Sequence, residues 1–285
     1  MDKIQNAAVA VKKKGFMETL KKNRVAYAYI APFYILFAIF GLFPIAAGLF
    51  ISFFRWDGIS EMHFLGLENY VNLLSDVLFW KALKNTVVIG IIAHIPILLG
   101  GLALAYILNS KLVKGENIFK TIYFMPMVTS SVAISIIFQS LFGYNYGTIN
   151  YFLSFFGEEP INWLGGDGSL IKVAVIVMFA WKWVGWNMVI YLAGMQGISN
   201  DIYEAARIDG ATNTKIMFKI VIPLLTPIIV FTLVQSTIGM FNLFTEPFIL
   251  TNSSWTGGVN NGGLTLMMYL LNKAPQGGTA YGYAS

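Results

Sequence analysis

Long apolar stretches separated by short polar ones dominate the chain, and five are long enough to cross a bilayer, near residues 27–54, 86–108, 122–142, 170–195 and 220–241. A helix rises about 1.5 Å per residue, so a hydrocarbon core about 30 Å thick takes roughly 20 apolar residues. The pattern predicts an all-α integral membrane protein, a polytopic helical bundle with five visible spans. The first stretch follows a lysine-rich tail as a signal sequence would. It is too long for an h-region and lacks a small-residue cleavage site, so it is expected to stay in the protein.

One polar interval stands apart, EAARIDGATNTKIMFKIVIPLL at 204–225, lying between the last two stretches. Ile198, Ile202, Ala205 and Ile208 recur at helical spacing and give a short helix one narrow apolar stripe. Ser199, Asn200 and Asp201 are able N-caps, Asp201 with Glu204 resembles a capping box, and Arg207 suits the last turn. Gly210 is expected to end this helix. Thr212 can cap a second one that runs through Phe218 until Pro223 and Pro227 perturb it. On the residues alone, a well-capped connecting loop and a docking knob are equally good readings.

Composition narrows the class. The chain of 285 residues is 56% hydrophobic and 12% charged, with mean hydropathy +0.66, far from a soluble domain. Tyr27, Tyr29, Phe53, Phe54, Trp56, Trp163 and Trp255 fall at the ends of apolar runs, where amphipathic rings suit the headgroup region. There is no cysteine, which excludes disulfides, thiolate metal sites and cysteine nucleophiles. Basic residues cluster in the tail (Lys3, Lys12, Lys13, Lys14, Lys21, Lys22, Arg24), the second connection (Lys111, Lys114, Lys120) and the fourth (Arg207, Lys215, Lys219). These alternate connections share one side, predicted to be the cytoplasm, with the N-terminus inside. The opposite side then holds the Gly/Asn/Trp-rich stretches 143–169 and 251–280. The net charge of +5 is thereby spent on topology, and no nucleic-acid partner is expected.

The order E-A-A-x-x-D-G-A, followed by Phe218, Ile220, Pro223, Leu224 and Pro227, resembles the EAA loop of the membrane subunits of binding-protein-dependent ABC importers. The likeness continues in FLGLENYVNLL (64–74), FWKALKNT (79–86), FKTIYFMPMVTSSVA (119–133), YGTIN (146–150), NWLG (162–165) and YLAGMQGI (191–198), which look like landmarks of the sugar-type branch. It covers nearly everything after about residue 25. The resemblance implies a basic cytoplasmic tail at 1–26, then a permease domain at 27–285 whose loop at 196–219 forms a coupling helix seated in a cytoplasmic ATPase. Glu204 would pair with a basic ATPase residue, Ala205 and Ala206 would allow close approach, and Gly210 would turn the chain, with Tyr203, Asp209 and Ala211 in the same contact. It also implies a second homologous permease subunit, an ATPase dimer that uses ATP and Mg, an extracellular solute-binding protein and a sugar substrate. Such a subunit sits in the bacterial inner membrane. Family members continue into a sixth span where this sequence reaches Tyr283, Ala284 and Ser285, so a truncated chain is expected.

Candidate chemistry is sparse. No G-x-x-x-x-G-K-[ST] phosphate loop occurs, so the chain is expected to bind no nucleotide and to be no enzyme. His63 and His94 are too few and too separated for a metal site and read as structural. Carboxylates lie almost entirely in loops. Lys182, between Trp181 and Trp183, is the exception to apolar spans and a candidate for the substrate path; the favoured alternative is that it snorkels or pairs with a partner subunit, while Glu246 is a conceivable partner that no spacing supports. Gln235, Ser236, Phe241 and Asn242 combine amide, hydroxyl and aromatic groups of the kind that hold sugars, with Asn187 and Gln139 as weaker candidates. Bonding to neighbouring helices is the equally good alternative. In the maltose-type relatives the F-N pair, here Phe241 and Asn242, stands in the span that lines a midplane sugar site. Pro44, Pro96 and Pro126 are read as shaping kinks. The reading that follows is a permease subunit of an ATP-driven sugar importer. Its rivals are an ion-gradient-driven secondary transporter, which needs an intramembrane acid, and a membrane scaffold or receptor.

Overall fold

The computed structural model describes residues 22–110, 113–276 and 281–285; Lys3, Lys12, Lys13, Lys14, Lys21 and Lys111 of the basic clusters lie outside them. Helix α1 spans Arg24–Ile51. A two-residue antiparallel ribbon, β1 (Phe54–Arg55) with β2 (His63–Phe64), and helix α2 (Glu68–Ser75) lead to α3 (Val77–Leu108). Then come α4 (Glu116–Val128), α5 (Ser131–Leu141), α6 (Thr148–Ser154), α7 (Ile171–Gln196), α8 (Asn200–Ile208), α9 (Asn213–Phe241), α10 (Thr245–Leu250), α11 (Leu266–Gln276) and α12 (Tyr281–Ala284).

Four unbroken helices, α1, α3, α7 and α9, are long and apolar enough to cross a membrane. The remaining expected span, near 122–142, is a bent pair: α4 and α5 meet at 96°. Thr129 (ψ 146°) and Ser130 (ψ 127°) are extended, and these two residues turn one apolar run into two helices. The Thr129 hydroxyl donates to the Met125 carbonyl at 2.9 Å, which satisfies one acceptor that the break sets free.

Local chemistry sets two helix starts, one ahead of its apolar run and one at the Thr212 cap read from the sequence. Helix α3 begins ahead of its apolar run because the Asp76 carboxylate accepts from the Leu78 N–H at 2.8 Å. Helix α9 begins at Asn213 because the Thr212 hydroxyl accepts from the Lys215 N–H. Prolines are absorbed rather than excluded. A proline ring donates no hydrogen bond and crowds the preceding turn; in α1 and α9 a π turn, Ala38–Leu42 or Met217–Val221, stands just before Pro44 or Pro223 and widens that turn.

Helices α3 and α7 run parallel and pack along their length, with Gly100 beside Val184 and Gly101 against Asn187. Two apolar clusters fill the bundle. One gathers Ile89, Ile97, Ile134, Phe138, Val175 and Met178; the other gathers Leu102, Ala105, Met188, Leu192, Met195 and Leu225 toward the end that carries α8. Helix α4 lies on α7 through a close backbone approach, since a Cβ at Gly185 would collide with the Tyr123 carbonyl. One residue further on, Phe124 stacks on Trp186 at 6.0 Å.

Helix α1 behaves differently. None of its apolar window is buried within the chain, and its main contacts with the other described elements are at its Ile51 end, near β1 and α12. Beside that end Asp76 accepts from Tyr269 at 2.7 Å and pairs with Lys273 at 3.2 Å. Burial works to raise the Asp76 pKa, but Tyr269, the Leu78 N–H and Lys273 together hold it below the ordinary carboxylate value.

The Gly185 contact yields a direct test. Gly185→Ala is expected to cost about 1–3 kcal/mol through overpacking, whereas Gly48→Ala, whose Cβ meets nothing within 4 Å, is expected to be neutral. Thermal unfolding of the two purified variants in detergent checks the contrast.

Candidate functional site

The knob between α7 and α9 is built from local signals. The Ser199 hydroxyl accepts from the Asp201 N–H, and α8 follows at Asn200. Its far end closes as a Schellman turn: the Ala211 N–H bonds the Ala206 carbonyl at 2.9 Å and the Gly210 N–H bonds that of Arg207 at 3.0 Å. Gly210 takes φ +74°, the left-handed conformation in which a side chain is strained. The apolar contact that accompanies such turns is made by Ala206 and Ala211, both packed in the cluster with Ala105, Met195 and Ile216.

The seven predicted coupling residues therefore divide by face. Tyr203, Ala206 and Ala211 turn toward the bundle, Ala206 being 8% exposed. Glu204, Ala205, Asp209 and Gly210 stand in the open. The apolar stripe read from periodicity mostly points away from the bundle: Ile198 packs inward, but Ile202 is 40% exposed and Ile208 86%. The stripe thus offers a docking face, and the bundle holds the knob by its small residues instead. The Tyr106 hydroxyl adds a bond to the Asn213 carbonyl at 3.2 Å. Burial first, and neighbouring Tyr106 second, push the Tyr203 pKa up and keep that phenol neutral.

The second candidate set lies within the spans. Ser236 is 3% exposed and its hydroxyl meets His94 Nε2 at 2.8 Å, while His94 Nδ1 lies 2.6 Å from the Gly90 carbonyl. That pair ties α9 to α3. Asn187, 1% exposed, donates to the Trp183 carbonyl at 3.2 Å but leaves its own carbonyl without a partner among the described residues, as does Gln235. Phe241 (39% exposed) and Asn242 sit exposed at the end of α9, and the Asn242 amide donates to the Ile238 carbonyl. Gln139 bonds the Ile249 carbonyl and Asn252.

Lys182 finds its counter-charge within the chain. Its ammonium lies 2.8 Å from the Glu246 carboxylate and also donates to the Ser131 hydroxyl. Glu246, 7% exposed, is accordingly a carboxylate inside the bundle rather than in a loop. Sequence reasoning passed over Ser131 and Glu246 as site residues because 51 and 64 positions separate them from Lys182. The one available signal was that a mid-span lysine requires a counter-charge. Among the described residues no group of three or more His, Cys, Asp and Glu side chains is placed to hold a metal.

Comparison with known proteins agrees with this architecture. Residues 97–272 match the family described as "Binding-protein-dependent transport system inner membrane component". The chain is 38% identical over 262 residues to the lactose transport system permease protein LacF of Rhizobium radiobacter, covering 91% of this chain and 86% of that one. It is 36% identical over 274 residues to the arabinooligosaccharides transport system permease protein AraP of Bacillus subtilis, covering 95% and 84%. The trehalose/maltose transport system permease protein MalF of Thermococcus litoralis is 31% identical over 252 residues, covering 88% and 83%. A solved bacterial ABC transporter involved in the import of the acidic polysaccharide alginate has the same fold, with TM-score 0.75 at 23% identity over 94% of this chain and 90% of that one.

The split between inner and outer faces of the knob is testable by packing. Ala206→Leu is expected to destabilise the protein by about 1–3 kcal/mol, because it overfills a closed cluster, and Ala205→Leu by less than about 0.5 kcal/mol. Melting temperatures of the two variants in the same detergent measure the difference.

Proposed function

We propose, for a chain that belongs to the family of binding-protein-dependent transport system inner membrane components, that it is the membrane-spanning permease subunit of an ATP-driven importer of oligosaccharides. The observation that carries the reading is the knob at 196–219, which presents Glu204, Ala205, Asp209, Ile202 and Ile208 outward from the joined ends of α7 and α9. Movement of α8 passes directly into both helices. The relatives named for lactose, arabinooligosaccharides and trehalose/maltose support a sugar as the cargo.

The chain is a transport subunit and not an enzyme. It lies in the inner membrane, with the knob and the N-terminus on the cytoplasmic side. A second homologous permease completes the path, and two cytoplasmic ATPase subunits, using ATP and Mg, dock on the knob. An extracellular binding protein delivers the sugar; the solved alginate transporter in complex with its pentasaccharide-bound periplasmic protein, similar in fold at TM-score 0.73, supports that partner by analogy. Asn187 and Gln235, whose amide carbonyls have no partner among the described residues, and the exposed Phe241 and Asn242 are the groups on which a sugar would hydrogen-bond and stack. Ser236 and Lys182 are already engaged by His94 and Glu246.

A secondary transporter would draw on Glu246, but that carboxylate is matched by Lys182. Uptake of labelled oligosaccharides by cells carrying the complete transporter separates the readings. Glu204→Lys and Gly210→Pro are each expected to lower uptake at least about tenfold, a change of about 1.4 kcal/mol. Asn242→Ala is expected to shift KM. Wild-type uptake in both knob variants, abolished by an ionophore, would replace the ATP-driven reading with an ion-driven one.

A further inference from the structure

The charged residue deepest in a span stands at a junction of three elements. Lys182 lies near the middle of α7, roughly 16 Å from its start at about 1.5 Å per residue, and is 8% exposed. It binds Glu246, in α10, and Ser131, the first residue of α5 past the 96° bend. Stability alone does not call for such a node. A buried ion pair recovers its desolvation cost only with good geometry, and an apolar pair of similar volume is commonly as stable. What the charges add is a single permitted arrangement of α5, α7 and α10.

Two packed seams meet at this point. On the side of the knob, α4 is fastened to α7 by Glu116 with Gln196 at 3.2 Å, by the Tyr123 backbone against Gly185, and by Phe124 on Trp186. On the other side, α5 is fastened to α10 by the Gln139 bonds to the Ile249 carbonyl and to Asn252. The bend between the seams is uncovered: Val128 is 70% exposed, and Thr129 and Ser130 are exposed. Non-helical backbone at hydrocarbon depth is tolerated only against protein or water. This face of the bend therefore borders the water-filled path or a second permease, and the node sits just behind it.

We propose that Lys182, Glu246 and Ser131 are positioning residues for transport, a pin through which α7, driven by the knob, carries α5 and α10 with it, without contact to the sugar. The proposal rests on the importer reading and goes beyond it by assigning these three side chains. The test uses the complete transporter in proteoliposomes, with ATP hydrolysis and sugar uptake measured together; failure of the wild type to couple uptake to ATP would refute the importer reading and leave the pin a separate question. Lys182→Met with Glu246→Leu is expected to assemble and hydrolyse ATP while its maximal uptake rate falls at least about tenfold, or about 1.4 kcal/mol in coupling, with KM within about twofold. Lys182→Arg with Glu246→Asp is expected to restore most of that rate. Uptake at the wild-type rate in the apolar pair, or a loss confined to KM, overturns the proposal. Should the apolar pair fail to assemble, Ser131→Ala decides: a fall of about threefold in rate at constant KM supports the pin, and the wild-type rate refutes it.

Discussion

Inside hydrocarbon no water is available to take an unused donor, acceptor or charge, and that constraint organises this bundle. It explains why hydroxyl side chains in the spans fold back on carbonyls one turn earlier, as Thr86 does on Ala82, Ser135 on Ser131, Thr226 on Ile222 and Thr237 on Leu233. It is also consistent with the widened turns that stand before Pro44 and Pro223. It also explains why the lysine in α7 has a carboxylate at 2.8 Å: an ammonium alone at that depth costs several kcal/mol or more.

Features set by local rules could be read from the residues. Span lengths follow from helix rise, and the knob from Ser199, Gly210 and Thr212. Features set by distant contacts could not. The run 122–142 is largely apolar, and nothing in Thr129 or Ser130 by itself announces a right-angle turn; just past it Ser131 bonds Lys182, 51 positions away, a contact that no local pattern shows. The knob shows the same limit at finer scale. Periodicity located its apolar stripe correctly, but whether that stripe faced the bundle depended on the small residues Ala206 and Ala211 fitting against α3 and α9. Of the path candidates, the residues alone could not separate Ser236, already satisfied by His94, from Asn187 and Gln235, whose carbonyls are not.

The parts combine into a mechanical sequence. The knob is rigid because its caps and Schellman turn leave few backbone groups free, and it is continuous with α7 through residues 197–199. Helix α7 is gripped along one side by α3 and along another by α4. Where α4 ends, the charge pair joins α7 to α5 and α10, the contact through which the proposed pin would act.

Helix α1, whose apolar window finds no cover within its own chain, belongs to a different regime. That face is left to lipid or to another polypeptide, so packing inside this chain places little demand on which apolar residues it carries. Over evolutionary time such a segment drifts freely within limits of length and hydropathy, and any position in it that resists drift reports a neighbour from another polypeptide rather than a need of this one.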